Sequence, residues 1–111
     1  MRTETRPWGY FTVLSEGQYF WLKELVVAPG QSLSLQYHDK RRETWVAPER
    51  GLRAVVGARD FELEPGIAVQ IPRRVQHRLY NPCARPLRLI EWADGFPVES
   101  DIVRLSDRYG R

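Results

Sequence analysis

Cysteine and histidine are scarce in this sequence: one Cys, Cys83, and two His, His38 and His77, among 111 residues. A single cysteine excludes an intrachain disulfide and fits a reducing compartment, so a cytoplasmic location is expected. Cys83 sits between Pro82 and Arg85-Pro86, a turn-like setting that does not suit a nucleophile. No apolar run approaches the length of a membrane span, and the opening Met1-Arg-Thr-Glu lacks the apolar core of a signal peptide. No membrane partner is therefore expected. Like charges form no long run: 17 Lys and Arg are scattered among 14 Asp and Glu, for a net charge of +3. Such scattering argues against a nucleic-acid partner. Helical periodicity of useful length is missing before residue 98, and so are repeats, linkers and low-complexity segments.

What is present is a series of short apolar or alternating runs separated by Gly and Pro. Residues 10–14 and 18–27 read as a hairpin around Glu16-Gly17. Further strands are predicted at about 32–38, 43–48, 52–56, 59–63, 68–71, 76–80 and 87–93. The breaks fall at Asp39 to Arg42, Glu49 to Gly51, Gly57-Ala58, Pro65-Gly66, Pro72-Arg73 and Asn81 to Pro86. Many short strands with evenly spaced turns indicate a sandwich or barrel. Residues 1–9 are predicted as an extended arm ending in a Trp8-Gly9 turn, packed across its own sheet or a neighbour's. Residues 101–105 suit a short helix or strand. The length allows one domain, near the lower size that buries a core without staples.

The two histidines fall in two similar stretches. One runs from Gly30 to Glu43 and carries Gln36, His38 and Glu43 at the spacing Q-x-H-x4-E. The other runs from Gly66 to Asn81 and carries Pro72 and His77. Side chains alternate along a strand, so Gln36 and His38 share a face, and Leu33, Leu35 and Tyr37 take the other. A Gln carbonyl, an imidazole and a carboxylate are all metal ligands, and His77 from a distant strand would close the site. Mixed N and O ligands suit Zn, Mn, Fe, Co or Ni, and spacing alone does not choose among them. The competing reading of each histidine is an ordinary structural one.

The two stretches resemble the two cupin motifs, G-x5-H-x-H-x3,4-E-x6-G and G-x5-P-x-G-x2-H-x3-N. Gly30, His38 and Glu43 meet the first, with Gln36 in place of the first histidine and Gly51 one position late. Gly66, Pro72, His77 and Asn81 meet the second, with Arg74 where glycine is usual. The Q-x-H pattern resembles that of phosphomannose isomerases. More of the chain is similar to the type II mannose-6-phosphate isomerase domain: Arg6-Pro-Trp-Gly9, Pro29 to Gln36, Arg41-x-Glu43-x-Trp45, Leu63-Glu-Pro-Gly66, Ile71-Pro72, His77-Arg-Leu, Asn81-Pro82, Asp101-Ile-Val-Arg104 and Asp107 to Arg111. The resemblance implies an all-β fold, a single cupin domain (double-stranded β-helix or jelly-roll barrel) over 1–111 with an N-terminal arm and a short C-terminal tail. That domain often follows a mannose-1-phosphate guanylyltransferase, for which a chain of this length is expected to have no room.

The resemblance further implies a divalent metal, zinc first, on Gln36, His38, Glu43 and His77. It implies a sugar-phosphate substrate and the interconversion of mannose 6-phosphate and fructose 6-phosphate through an enediol. Such chemistry needs a base at C2. Glu43, Lys23, Lys40 and Glu91 are candidates, and Lys23 is preferred for a polar pocket role. Arg41 matches the family and suits phosphate or developing negative charge, as do Arg73, Arg74 and Arg78 around the second motif. Lys23, Arg41 and Glu43 are thus the catalytic candidates. Thr44 stands where the family usually has His, and Asp39 and Lys40 where it often has further histidines, which leaves substrate choice open. Trp45 is read as core in preference to a sugar platform. A homodimer through sheet edges and the arm is expected. The alternatives are a non-catalytic cupin that binds a sugar or its phosphate, or a metal cupin of another reaction class such as a dioxygenase.

Overall fold

The structure, a computed structural model, describes residues 1–111. It contains eleven strands: β1 (Arg2–Arg6), β2 (Gly9–Glu16), β3 (Phe20–Val27), β4 (Leu35–Tyr37), β5 (Arg41–Val46), β6 (Arg53–Val56), β7 (Arg59–Glu62), β8 (Val69–Ile71), β9 (His77–Tyr80), β10 (Leu87–Gly95) and β11 (Val103–Ser106). They form a six-stranded sheet in the order β1-β2-β3-β10-β5-β8 and a five-stranded sheet in the order β11-β4-β9-β6-β7. Every pairing is antiparallel. No segment forms a helix long and apolar enough to cross a membrane.

Alternation decides what faces inward. On β3, Trp21, Lys23, Leu25 and Val27 are buried and the residues between them are not. Leu87, Leu89, Glu91 and Ala93 do the same on β10, and Arg41, Glu43 and Trp45 on β5. Register then stacks like on like: Leu89 lies opposite Leu25, and Glu91 lies opposite Lys23 on one side and Trp45 on the other. Each strand therefore changes character along its length, apolar at one end of the barrel and polar at the other. The apolar end holds a continuous core that includes Trp8, Phe11, Leu25, Val27, Leu52, Leu63, Leu79, Leu87 and Leu89. Burying one such aliphatic side chain contributes about 1.5–3 kcal/mol.

Two loop residues fix how the strands join. Gly9 has φ 150 where β2 backs onto β3, and a Cβ there would collide with the Val26 carbonyl oxygen. Asn81 donates through Nδ2 to the carbonyls of Val27 (2.9 Å) and Arg85 (2.8 Å) and accepts from the Cys83 amide (2.8 Å). The asparagine that closes the second motif thus pins a loop to β3.

The structure departs from sequence expectation in three places. The strand expected at 32–38 is regular only over β4, with a single bridge from Ser32 to Tyr80. Alternation breaks there, so Leu33 packs on the core instead of facing away from it. The strand expected from residue 43 begins at Arg41, which puts Arg41 and Glu43 on one face. The arm is the edge strand β1 of its own sheet, with Arg2 opposite Val13 and Arg6 opposite Gly9. Its alternating Arg2, Glu4 and Arg6 guard an open edge with charge. The tail takes the strand alternative, β11 beside β4.

Candidate metal centre

Both histidines lie at the polar end and are buried. His77 opens β9, directly across from Gln36 on β4. His38 follows β4, and its carbonyl accepts from the Arg74 amide of the second motif at 2.7 Å. Nδ1 of His38 lies 2.7 Å from the Asp101 carbonyl, and Nδ1 of His77 lies 2.9 Å from the Val75 carbonyl. A carbonyl oxygen only accepts, so each Nδ1 carries a proton and donates it. That leaves both Nε2 atoms turned toward Glu43: His38 Nε2 is 3.4 Å from Oε2 and His77 Nε2 is 3.9 Å from Oε1. The His77 Nε2 is buried without any hydrogen-bond partner. One ligand atom from each of His38, Glu43 and His77 falls within 4.8 Å of the others. An unpartnered buried lone pair, two imidazoles oriented by backbone carbonyls and a carboxylate together fit a divalent cation.

Glu43 accepts from Arg41 Nε at 2.9 Å and from Trp45 Nε1 at 3.0 Å. Burial alone would raise its carboxyl, but the Arg41 guanidinium and the two imidazoles outweigh burial and hold it well below the ordinary carboxylate range. Burial pushes His38 the other way, down to about 4, with Arg41 adding to the shift against Glu43. Arg41 Nη2 donates to His38 Nε2 at 3.1 Å, and Nη1 donates to the Val98 carbonyl at 2.9 Å. A metal on His38 Nε2 would use the same lone pair, so metal binding requires this guanidinium to move. Gln36 accepts from the Ser34 hydroxyl at 2.6 Å and turns its amide nitrogen toward His38 Nε2, at 3.4 Å. Turning the amide over would present Oε1 to the metal, and the Ser34 hydroxyl can accept as readily as donate.

Lys23 and Glu91, paired across β3 and β10, form the adjoining wall. Lys23 is buried, donates to Glu99 at 2.8 Å and lies over the rings of Trp21 (3.7 Å) and Phe11 (4.1 Å). Its Nζ is thus held between a carboxylate and two aromatic faces. Glu91 accepts from Trp21 Nε1 at 2.9 Å. Burial, then the neighbouring Glu43 charge, raises its carboxyl to about 7. These groups line a cleft of about 130 Å³ together with Arg6, Arg104, Arg111, Glu99 and Ile102.

The remaining sequence candidates lie elsewhere. Lys40 is exposed, and Arg73 lies beside Arg42, Pro72 and Asp94, outside the cleft. Arg74 is exposed, pairs with Asp39 at 3.3 Å and has φ 65, the left-handed backbone that favours glycine. Its side chain has no part in the lining of the cleft. Arg78 is half-buried in a separate hollow near Tyr80 and Arg108, its Nε enclosed without a partner. Trp45 is core, as expected, and also holds Glu43. Sequence reasoning missed Trp21, whose inward parity with Lys23 was visible, and Glu99, for which no signal existed.

Two antiparallel sheets closed around one core, with a His–Glu–His group at one end, define a cupin barrel, the double-stranded β-helix. A solved protein with a double-stranded β-helix domain from Klebsiella pneumoniae superposes with a TM-score of 0.72 over 87% of this chain and 83% of that one, at 14% identity. Residues 1–107 match the family described as Mannose-6-phosphate isomerase C-terminal, and the chain belongs to that family. It is 41% identical over 107 residues to the xanthan biosynthesis protein XanB of Xanthomonas campestris pv. campestris, covering 96% of this chain and 23% of that protein. It is 37% identical to the mannose-1-phosphate guanylyltransferase ManC of Salmonella typhimurium, covering 96% of this chain and 22% of that protein. The chain spans less than a quarter of the length of these relatives.

Proposed function

We propose that the chain is a sugar-phosphate isomerase that interconverts an aldose and a ketose, with mannose 6-phosphate and fructose 6-phosphate as the pair its family description suggests. A divalent metal, zinc first, would be held by His38, Glu43 and His77 with Gln36. The observation that carries this reading is the convergence of two Nε2 atoms on the Glu43 carboxylate, which together with Gln36 lines a cleft rich in cations. When bound, the ion supplies Lewis-acid stabilisation of an enediolate oxygen. Glu91 serves as proton carrier between C2 and C1, because a carboxyl at about 7 populates both its forms near neutrality. Lys23 and, once displaced from His38, Arg41 act as cationic donors to substrate oxygens, exchanging protein partners for them. The relatives' names, xanthan biosynthesis and mannose-1-phosphate guanylyltransferase, support a place in carbohydrate metabolism.

A second reading, a cupin that binds sugar phosphate without turnover, has one observation behind it. Arg41 already satisfies His38 and Glu43 as a cation would. The two readings separate in deuterated water, with metal-reconstituted protein, mannose 6-phosphate and proton NMR. Isomerisation predicts conversion to fructose 6-phosphate and deuterium exchange at the carbons involved, both abolished by chelation. No exchange and no conversion, with metal stoichiometry confirmed, would leave the binding reading.

A further inference from the structure

The five cations of the cleft are not equally free. Arg41 is spent on Glu43, His38 and the Val98 carbonyl, and Lys23 on Glu99. Toward the mouth the commitments thin out. Arg6 shares Nη2 between Glu4 (3.1 Å) and Glu99 (3.7 Å). Arg111 uses only Nε, on Asp107 at 2.9 Å, so both of its amino groups are uncommitted. Arg104 lines the cleft from β11, and its side chain makes no hydrogen bond or ion pair with the rest of the chain. Three arginines brought together from opposite ends of the sequence thus crowd one mouth, and of the three only Arg104 has no carboxylate partner.

The geometry points to a phosphate subsite at this mouth, built by Arg104 and Arg111 with Arg6 beside them, that takes the dianion of a phosphate monoester. The inference rests on the sugar-phosphate reading above and names the residues that would recognise the phosphate. Guanidinium forks suit tetrahedral oxyanions, and the uncommitted N–H groups here are the ones such an oxyanion needs. The placement also orients the rest of the molecule. Arg104 pairs across the ladder with Gln36, which in turn pairs with His77. A phosphate on Arg104 therefore directs the carbon chain toward Gln36 and the His38–Glu43–His77 group. The arginines that flank the second motif, Arg73, Arg74 and Arg78, have no part in it.

Calorimetric titration of the intact chain with mannose 6-phosphate, mannose and inorganic phosphate tests this, alongside the deuterium-exchange assay. Arg104→Gln removes no side-chain hydrogen bond or ion pair within the chain and changes an exposed residue, so the fold is expected to persist; Arg111→Gln is the second variant. The expected result is that wild type prefers the ester to both mannose and inorganic phosphate, and that each variant weakens ester binding about tenfold while mannose binding is unchanged. Ester affinity in the variants within about twofold of wild type would overturn the subsite. So would a wild type that fails to bind the ester or does not distinguish it from mannose. Inorganic phosphate binding as tightly as the ester would reduce the mouth to a bare anion site and overturn it too. Phosphate-dependent binding that the variants lose, without deuterium exchange, would keep the subsite and sink the isomerase. Turnover at unchanged KM in both variants would do the reverse.

Discussion

The two ends of the barrel are built from the same strands and answer to different demands. At one end Leu25, Val27, Leu87 and Leu89 meet across the sheet and are satisfied by one another. At the other, the same strands present Lys23, Glu91, Arg41 and Glu43, joined by His38 and His77. That end keeps a buried imidazole nitrogen without a partner and a carboxyl pushed up to about 7. A stretch of interior that tolerates such costs is typical of a working site, because stability alone would have filled it with aliphatic side chains. Facing inward, then, says only that a residue is enclosed. Which half of the barrel encloses it decides whether it packs or reacts.

The sharpest way to break this contrast is Glu43→Gln. It leaves the Arg41 guanidinium buried without its counter-charge, for an expected loss of about 3–5 kcal/mol in urea unfolding. Divalent metal binding should vanish with it in a competition titration. A stability loss under about 1 kcal/mol would mean the pair behaves like an exposed one. Leu89→Ala at the apolar end should cost about 2–5 kcal/mol while the folded fraction keeps its full metal stoichiometry. Metal loss in that variant would show that the two ends are not separable.

Acid sharpens the comparison further. In metal-free protein, His38 is lowered to about 4, so its contribution is lost as pH falls from its ordinary 6.5 toward 4. Glu91 is raised from 4.5 to about 7, so the fold binds that proton more tightly and gains stability as pH falls through the same window. Wild type should therefore hold nearly level stability from about pH 6.5 to 4.5 and drop below that, where Glu43 takes up a proton in the unfolded chain while the folded one still refuses it. Glu91→Gln removes the compensation, and its stability should fall by up to about 1.4 kcal/mol per pH unit across the window. Parallel profiles for the two proteins would contradict the assignment. The smallest effect is expected at Arg74→Gly, which relieves left-handed backbone at the loss of an exposed ion pair, for a net gain of about 0.5 kcal/mol by thermal melts. A loss would mean the Asp39 contact outweighs the backbone.

Period-two alternation made β3, β5 and β10 legible, because their faces are enclosed for their whole length and parity is never interrupted. The Gly and Pro breaks were legible for the same local reason. The spacing of Gln36, His38, Glu43 and His77 carried the candidate centre, since strand geometry leaves few ways to satisfy it. Parity failed at Leu33, where the chain is held by one bridge and not by a ladder. It also said nothing about the direction of Arg74, which a positive φ turns outward. Arg6, Arg104 and Arg111 fall in segments that resemble the family, but no local signal showed that they meet. They come together only because β1 edges one sheet, β11 edges the other, and the segment after β11 folds back along the barrel.

One contact also sets an order of events. All fourteen residues of the apolar core lie between Trp8 and Leu89, yet the proton on His38 Nδ1 is held by the carbonyl of Asp101. As the chain is made from its amino end, every core residue exists before that carbonyl does. A nascent barrel can close with His38 still free to carry its proton on either nitrogen. Only when Asp101 docks does the ring commit its Nε2 to Glu43, so the His–Glu–His group takes its final form after the apolar core is complete.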